Sequence, residues 1–205
     1  MPRAVEFFYD YSSPWTYLAF TRIEDVCRRS RADLEWRPIL VGGIFNSVNP
    51  SVYEARERPV PAKARYMAKD LRDWAELYGL TIRFPPSVFP VNSVKSLRGA
   101  LVALEHGKIS TYSRAVFAAY WDSDRDISRD DVLRDIVGEV GLDAVEYFEK
   151  IAAPAYKERI RANTDECVRR GGFGSPTIFV GDSMFFGNDR LVLVEHELAK
   201  TGDSR

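Results

Sequence analysis

Residues 5–20, VEFFYDYSSPWTYLAF, decide the fold, because they carry the chain from a buried strand into a helix across two consecutive serines and a proline. Val5, Glu6, Phe7, Phe8 and Tyr9 are β-branched, aromatic and almost continuously hydrophobic, the pattern of a strand covered on both faces. Asp10, Tyr11 and Ser12 break that run. Ser13 followed by Pro14 is then a helix start: a serine at N-cap accepts from an orphan backbone N–H, and a proline at N1 has no N–H to leave unpaired. Beyond it Leu18, Ile23, Val26 and Cys27 recur near helical spacing while Arg22, Glu24, Asp25 and Arg28 take the other faces, so a helix runs to about Arg29. A strand thus delivers Ser13 to the positive end of a helix at the edge of a sheet, a place suited to holding an anion.

Working outward, Leu34–Val41 (LEWRPILV) reads as a second strand, which completes a βαβ unit. Gly42-Gly43-Ile44-Phe45 is expected to turn the chain out of the sheet, and Asn46–Pro61, rich in Asn, Pro, Ser and charge with no clean period, to form a long functional loop. Ala64, Met67, Leu71, Trp74 and Leu77 space a helix over Ala62–Leu77 with Gly79 as its C-cap. Thr81–Asn92 carries three prolines and is not helical. Helices follow over Ser93–Glu105, Ile109–Trp121, a segment opening at the capping pair Ser128 and Asp131, Asp143–Ile151 and Pro154–Arg170. Strand character returns at Thr177–Val180, with Gly181-Asp182 as a two-residue hairpin turn and Met184–Phe186 as partner, before Gly187–Arg190 opens a last helix. The order is β-α-β, a helical insertion, then β-β-α. This α/β plan resembles the thioredoxin-like fold, with residues 1–45 and 171–205 expected as the thioredoxin-like domain and 46–170 as an inserted all-helical domain.

Composition narrows the function classes. There are 29 basic and 30 acidic residues, a formal net charge of −1, so a nucleic-acid or anionic membrane partner has no basic footprint to bind. No apolar run approaches a membrane span, and MPRAVEFFYD shows no signal-peptide core, so a cytoplasmic protein is expected. Cys27 and Cys167 are far apart, each in an expected helix, and read as reduced core thiols rather than a disulfide or metal pair. Glu195-His196-Glu197 is a surface charge cluster and not a metal site, since consecutive helix residues point in different directions. Trp36, Trp74 and Trp121 are expected in the core.

The turn itself carries a family resemblance. Thioredoxin-like disulfide oxidoreductases place Cys-x-x-Cys where this chain has Ser13-Pro14-Trp15-Thr16, which excludes a dithiol redox role. Phe8, Asp10, Ser13, Pro14, Trp15, Tyr17 and Leu18 instead fit F-x-D-x-x-S-P-[YW]-x-[YW]-L, and the chain resembles kappa-class glutathione transferases and 2-hydroxychromene-2-carboxylate isomerases. Further matches are Arg37-Pro38 with Gly42-Gly43-Ile44-Phe45, Pro61-Ala62-Lys63 with Tyr66-Met67 and Asp70-Leu71, Phe89-Pro90-Val91-Asn92, Gly174-Ser175-Pro176-Thr177 and Phe186-Gly187-Asn188-Asp189-Arg190-Leu191. Gly-Asn-Asp-Arg-Leu is closer to the isomerase branch.

The resemblance implies glutathione as cofactor, a small aromatic carboxylate as substrate and a homodimer. It implies that Ser13 donates its hydroxyl to the glutathione sulfur, where a helix N-terminus and a fixed donor favour the thiolate. Ser13 as a covalent nucleophile is the poorer reading, because His106 and His196 offer no Ser-His-Asp arrangement. By the same resemblance Ser175-Pro176 is a cis-proline loop that presents backbone groups to the tripeptide. Asn188 and Asp189 bind its γ-glutamyl end, Asn49 and Lys63 reach its other side, and Trp15, Phe45, Phe89 and Asn92 line the substrate pocket. Taken alone, Asp189 is an N-terminal helix charge and Lys63 a solvated lysine. Three functions stay open: the isomerase, a kappa-type transferase that conjugates or reduces an electrophile, and a non-catalytic thioredoxin-like binding module.

Overall fold

The structure is a computed structural model and describes residues 3–200. In chain order its elements are β1 (Arg3–Tyr9), α1 (Pro14–Ser30), β2 (Ala32–Pro38), α2 (Val41–Val48), α3 (Ser51–Glu57) and α4 (Pro61–Tyr78). There follow α5 (Val94–Glu105), α6 (Ile109–Phe117), α7 (Asp130–Glu139), α8 (Ala144–Ala152), α9 (Pro154–Arg169), β3 (Thr177–Val180), β4 (Ser183–Phe186) and α10 (Leu191–Lys200). The four strands form one sheet in the order β2-β1-β3-β4, with β1 parallel to β2 and antiparallel to β3, and β3 antiparallel to β4.

β1 is central, and its unbroken hydrophobicity follows from that position. Because side chains alternate across a strand, Val5, Phe7 and Tyr9 enter the larger core under α1, α5 and α6, while Phe8 enters a second cluster with Ile39, Ile44, Cys167 and Phe179. Phe7 pairs with Trp36 on β2 and Ile178 on β3, which sets the register of all three strands. The larger core is continuous from the sheet into the helices between β2 and β3, where Trp121 is fully buried and its indole donates to the Tyr11 carbonyl at 2.9 Å. Trp36 and Trp74 are only partly buried, and Trp74 lines a surface cleft described below.

The sequence reading and the structure differ at several places. β2 stops at Pro38 rather than Val41, because after one last bond from Ile39 N–H to the Tyr9 carbonyl at 3.0 Å the following amides turn away from β1: Leu40 N–H donates to Thr164 Oγ1 and Val41 N–H to Asp10 Oδ2. Gly42-Gly43 is helical, not a turn, since α2 packs on α9, where a Cβ built on Gly43 would lie 3.6 Å from the Thr164 methyl. The expected loop Asn46–Pro61 contains α3, which buries none of its residues and so shows no hydrophobic period. Ser128 does not pair with Asp131; its hydroxyl bonds Asp126 while Asp131 pairs with Arg129, and α7 starts at Asp130 without a side-chain cap. In addition, α6 ends at Phe117 and a π turn over Ala118–Asp122 carries Trp121. Gly79 does close α4, in the left-handed conformation at φ 66°.

One close approach inside the helical part makes a strong test. A Cβ on Gly99 of α5 would stand within normal contact distance of both the Tyr112 and Tyr147 hydroxyls, which bond each other at 2.7 Å. Gly99→Ala would gain about 1 kcal/mol of helix propensity but overpack a full core, at about 1–3 kcal/mol, and split a buried hydroxyl pair, at about 1–3 kcal/mol more. A net loss of stability is expected in denaturant unfolding, and an unchanged or raised midpoint would contradict this packing.

Candidate active site

The turn after β1 is tied together by Asp10, Ser13, Thr16 and Ser175. Asp10 is fully buried; its Oδ1 accepts from Ser12 N–H and its Oδ2 from Val41 N–H, both at 2.9 Å. Its own N–H donates to Ser175 Oγ at 2.9 Å, and Ser175 Oγ shares a 2.8 Å hydrogen bond with Thr16 Oγ1. Ser13 Oγ accepts from Thr16 N–H at 3.2 Å, which caps α1, and donates to the Ser175 carbonyl at 3.0 Å. Burial raises the Asp10 pKa, against the Ser12 and Val41 amides and the Ser93 hydroxyl, which pull it down. The Ser175–Pro176 bond is cis, and this loop is what brings the C-terminal part of the chain onto the turn.

Two cavities meet there. One, of ≈ 550 Å3, is lined by Asp10, Ser13 and Trp15 from the turn, Phe45 and Asn49 from α2 and its C-cap, Val52 and Arg56 from α3, and Phe89 and Asn92 from the proline-rich segment. The other, of ≈ 310 Å3, is lined by Asp70 and Trp74 from α4, Ser175 and Pro176, and Asn188, Asp189 and Arg190 from the 3-10 turn before α10. Trp15, Ser175 and Phe186 belong to both linings, so the boundary runs beside Ser13. The first cavity is overwhelmingly apolar, while the second, with Asp70, Asn188, Asp189 and Arg190 in its wall, is the more polar of the two.

The expected residues divide between these cavities. Ser13, Trp15, Phe45, Asn49, Phe89 and Asn92 lie on the apolar one, and Ser175, Pro176, Asn188 and Asp189 on the polar one, with Ser175 on both. Lys63 is exposed in the first turn of α4 and lines neither. Asn49 is held by donating to the Phe173 carbonyl at 3.0 Å. Gly187, at φ 103°, takes a conformation open to glycine and starts the turn that points Asn188 inward, where it is 3% exposed. Tyr78 interacts with Asn188 electrostatically, yet Asn188 Nδ2 has no partner at hydrogen-bonding geometry. Asp189 pairs with Arg190 at 2.6 Å, so a carboxylate and a guanidinium stand together at the polar cavity.

Of the other lining residues, Asp70 and Arg190 stand in the matching motifs and Trp74 is expected in the core, but the sequence reading assigns none of them, nor Arg56, a role at the site. Trp74 and Asp70 share one face of α4 at i and i+4, a signal that could have been followed; Arg56 sat in an expected loop and had none. Neither histidine lines either cavity, and His106 pairs with Glu146 at 3.2 Å. Among the described residues no helix is long and apolar enough to cross a membrane, and no three His, Cys, Asp or Glu side chains converge as metal ligands. Burial pushes the Cys27 thiol up to about 12 and the Cys167 thiol up to about 11, as expected of unreactive core thiols.

Comparison with known proteins gives the family. The family model of a DSBA-like thioredoxin domain matches residues 4–199. The chain belongs to the DSBA-like thioredoxin family. Within that family it is 31% identical over 198 residues to a 2-hydroxychromene-2-carboxylate isomerase of Sphingobium xenophagum, covering 97% of this chain and 99% of the relative. It is also 31% identical over 219 residues to human glutathione S-transferase kappa 1, covering 98% and 92%. A solved structure of a 2-hydroxychromene-2-carboxylate isomerase superposes with a TM-score of 0.80 at 25% identity, covering 97% of this chain and 95% of that one. The family is therefore thioredoxin-like in fold, and both groups of relatives are enzymes.

Proposed function

We propose that this protein is a glutathione-dependent cis-trans isomerase that converts 2-hydroxychromene-2-carboxylate, or a close aryl analogue, to the trans-benzylidenepyruvate in aromatic catabolism. The observation that carries the reading is the pair of adjoining cavities, the smaller more polar than the larger, whose shared wall of Trp15, Ser175 and Phe186 stands beside Ser13. A peptide cofactor in the first and a planar apolar substrate in the second would place a thiol between them. The polar cavity fits glutathione. Asn188 Nδ2, buried and beside Tyr78 but without a partner at hydrogen-bonding geometry, can donate to an acceptor there, and the Asp189–Arg190 pair presents both charges that an α-amino acid end requires.

When bound, glutathione supplies a thiolate that can add to a conjugated double bond and leave again, so that the bond rotates and no glutathione is consumed. The chain's own residues do the rest. The N-terminus of α1 stabilises negative charge at the sulfur position. Ser13 Oγ–H, now directed at the Ser175 carbonyl, can turn to donate there. Ser175 and Pro176 position the peptide backbone, Asn188 and Asp189 its γ-glutamyl end, and Asn49 its other side; Lys63 would have to reach inward from the first turn of α4. Trp15, Phe45 and Phe89 exclude water from the reacting bond and orient the ring, with Asn92 at the rim. A cytoplasmic homodimer, made up of the thioredoxin-like residues 1–45 and 171–205 with 46–170 inserted, is part of the same proposal.

The test is spectrophotometric: the hydroxychromene carboxylate is followed with and without glutathione, beside conjugation of an aryl halide. Glutathione-dependent isomerisation is expected. Conjugation without isomerisation would overturn the reading in favour of a kappa-class-like glutathione transferase, to which the equal identity with the human relative also points.

A further inference from the structure

The apolar cavity contains two charged side chains, Asp10 and Arg56, and only one of them is available. Asp10 is buried and its two oxygens are taken by the Ser12 and Val41 amides. Arg56 projects from α3 between two aromatic rings that come from different parts of the chain. Its guanidinium carbon lies 5.7 Å from the centroid of Phe45 on α2 and 5.6 Å from that of Phe89 in the proline-rich segment. Among the described residues no carboxylate is within ion-pairing distance of it, whereas eleven other arginines have such a partner. Contact with ring faces fixes a guanidinium while leaving its N–H edge free, and that edge matches a carboxylate in two parallel hydrogen bonds.

We infer that Arg56 selects planar aromatic acids for this cavity by clasping the substrate carboxylate at its mouth, while Phe45 and Phe89 hold the ring system. This deepens the proposed function and rests on it only in taking the apolar cavity as the substrate site. The arrangement is specific to charge: a neutral ligand of the same shape would gain the ring contacts but leave the guanidinium unanswered. Charge-assisted bonds of this kind are worth about tenfold to a hundredfold in affinity.

The experiment measures binding, not turnover. trans-Cinnamate and its neutral isostere trans-cinnamamide are titrated calorimetrically into the full chain in the presence of glutathione. The wild-type protein is expected to prefer the acid by about tenfold or more, Arg56→Met to bind the two equally, and Arg56→Lys to recover part of the preference, since lysine keeps the charge but not the planar fork. α3 buries none of its residues, so these variants are expected to keep the wild-type circular dichroism and melting temperature. The inference is overturned if the wild type binds neither probe or shows no preference. It is equally overturned if Arg56→Met keeps the preference, which would assign the carboxylate to the N-terminus of α1, or if Arg56→Met loses it only through unfolding while Arg56→Lys gains nothing. A wild type that prefers cinnamate through Arg56 but does not isomerise the hydroxychromene carboxylate would leave Arg56 in place and remove the isomerase reading.

Discussion

Ser13→Ala is expected to slow glutathione-dependent turnover by about 10²- to 10³-fold, the usual cost of removing one fixed donor from a developing or resident anion. The thiol pKa of bound glutathione should rise together with the loss of rate, visible as weaker thiolate absorbance at neutral pH. Ser13 has a second role as the N-cap of α1, where its Oγ accepts from Thr16 N–H at 3.2 Å, and alanine there costs about 1 kcal/mol of stability. Ser13→Gly separates the two roles. Glycine is a tolerable N-cap that costs only a few tenths of a kcal/mol, yet it lacks the hydroxyl, so both variants should lose activity alike while only alanine loses stability. Turnover and thiolate absorbance that survive in both variants would show that the helix N-terminus suffices.

Asp10→Ala is expected to produce the largest loss of stability at the site. Alanine would strand the Ser12 and Val41 amides, which donate to the carboxylate at 2.9 Å, at about 1–3 kcal/mol for each buried donor. Set against this is the cost of burying the charge, which is why the Asp10 pKa is raised. Since wild-type Asp10 remains fully buried and bonded, we expect the stranded donors to dominate, a net loss of about 2–5 kcal/mol. Asp10→Asn keeps one acceptor and should cost less. The pH dependence has a definite sign. A group whose folded pKa lies above its unfolded value contributes stability that is full below the unfolded pKa, near ~4, and is lost as pH rises through the folded pKa. Asparagine does not titrate, so the stability gap between wild type and Asp10→Asn should be widest in acid and narrow as pH rises across that window. A gap that widens with pH in denaturant unfolding would mean that the amides outweigh burial and hold the carboxylate below its unfolded value.

These variants also mark where sequence reading reached and where it stopped. Ser13 was legible as a cap, and as the residue replacing the first cysteine of a redox motif, because the serine, the proline and the amphipathic run after it all lie within one helical turn or two of each other. Gly79 and the Gly181-Asp182 hairpin were legible for the same reason: one residue type in one conformation settles the local path. The polar residues of the C-terminal turn, Asn188 and Asp189, came from resemblance, and the structure puts them in one cavity with Trp74, which the sequence assigned to the core. Arg56 escaped notice because α3 is seven residues long and buries nothing, leaving no period to detect. Asp10 stood out only as a member of a motif; that its carboxylate would be fully buried and would anchor the amide of Val41, 31 residues on, has no local signature.

By itself, then, the sequence determined the order of strands and helices, the serine at the head of α1 and the thioredoxin-like plan, because strand burial, helix period, capping and turn chemistry are written in neighbouring residues. Only the tertiary structure decided that α2 and α3 would be helices, that Ser175 would close on Asp10 and Ser13 from more than 160 positions away, and that Arg56 would lie between Phe45 and Phe89. Those outcomes depend on which surfaces become neighbours once the sheet and helices have packed, and a lone guanidinium between two rings exists only after three separate segments have met.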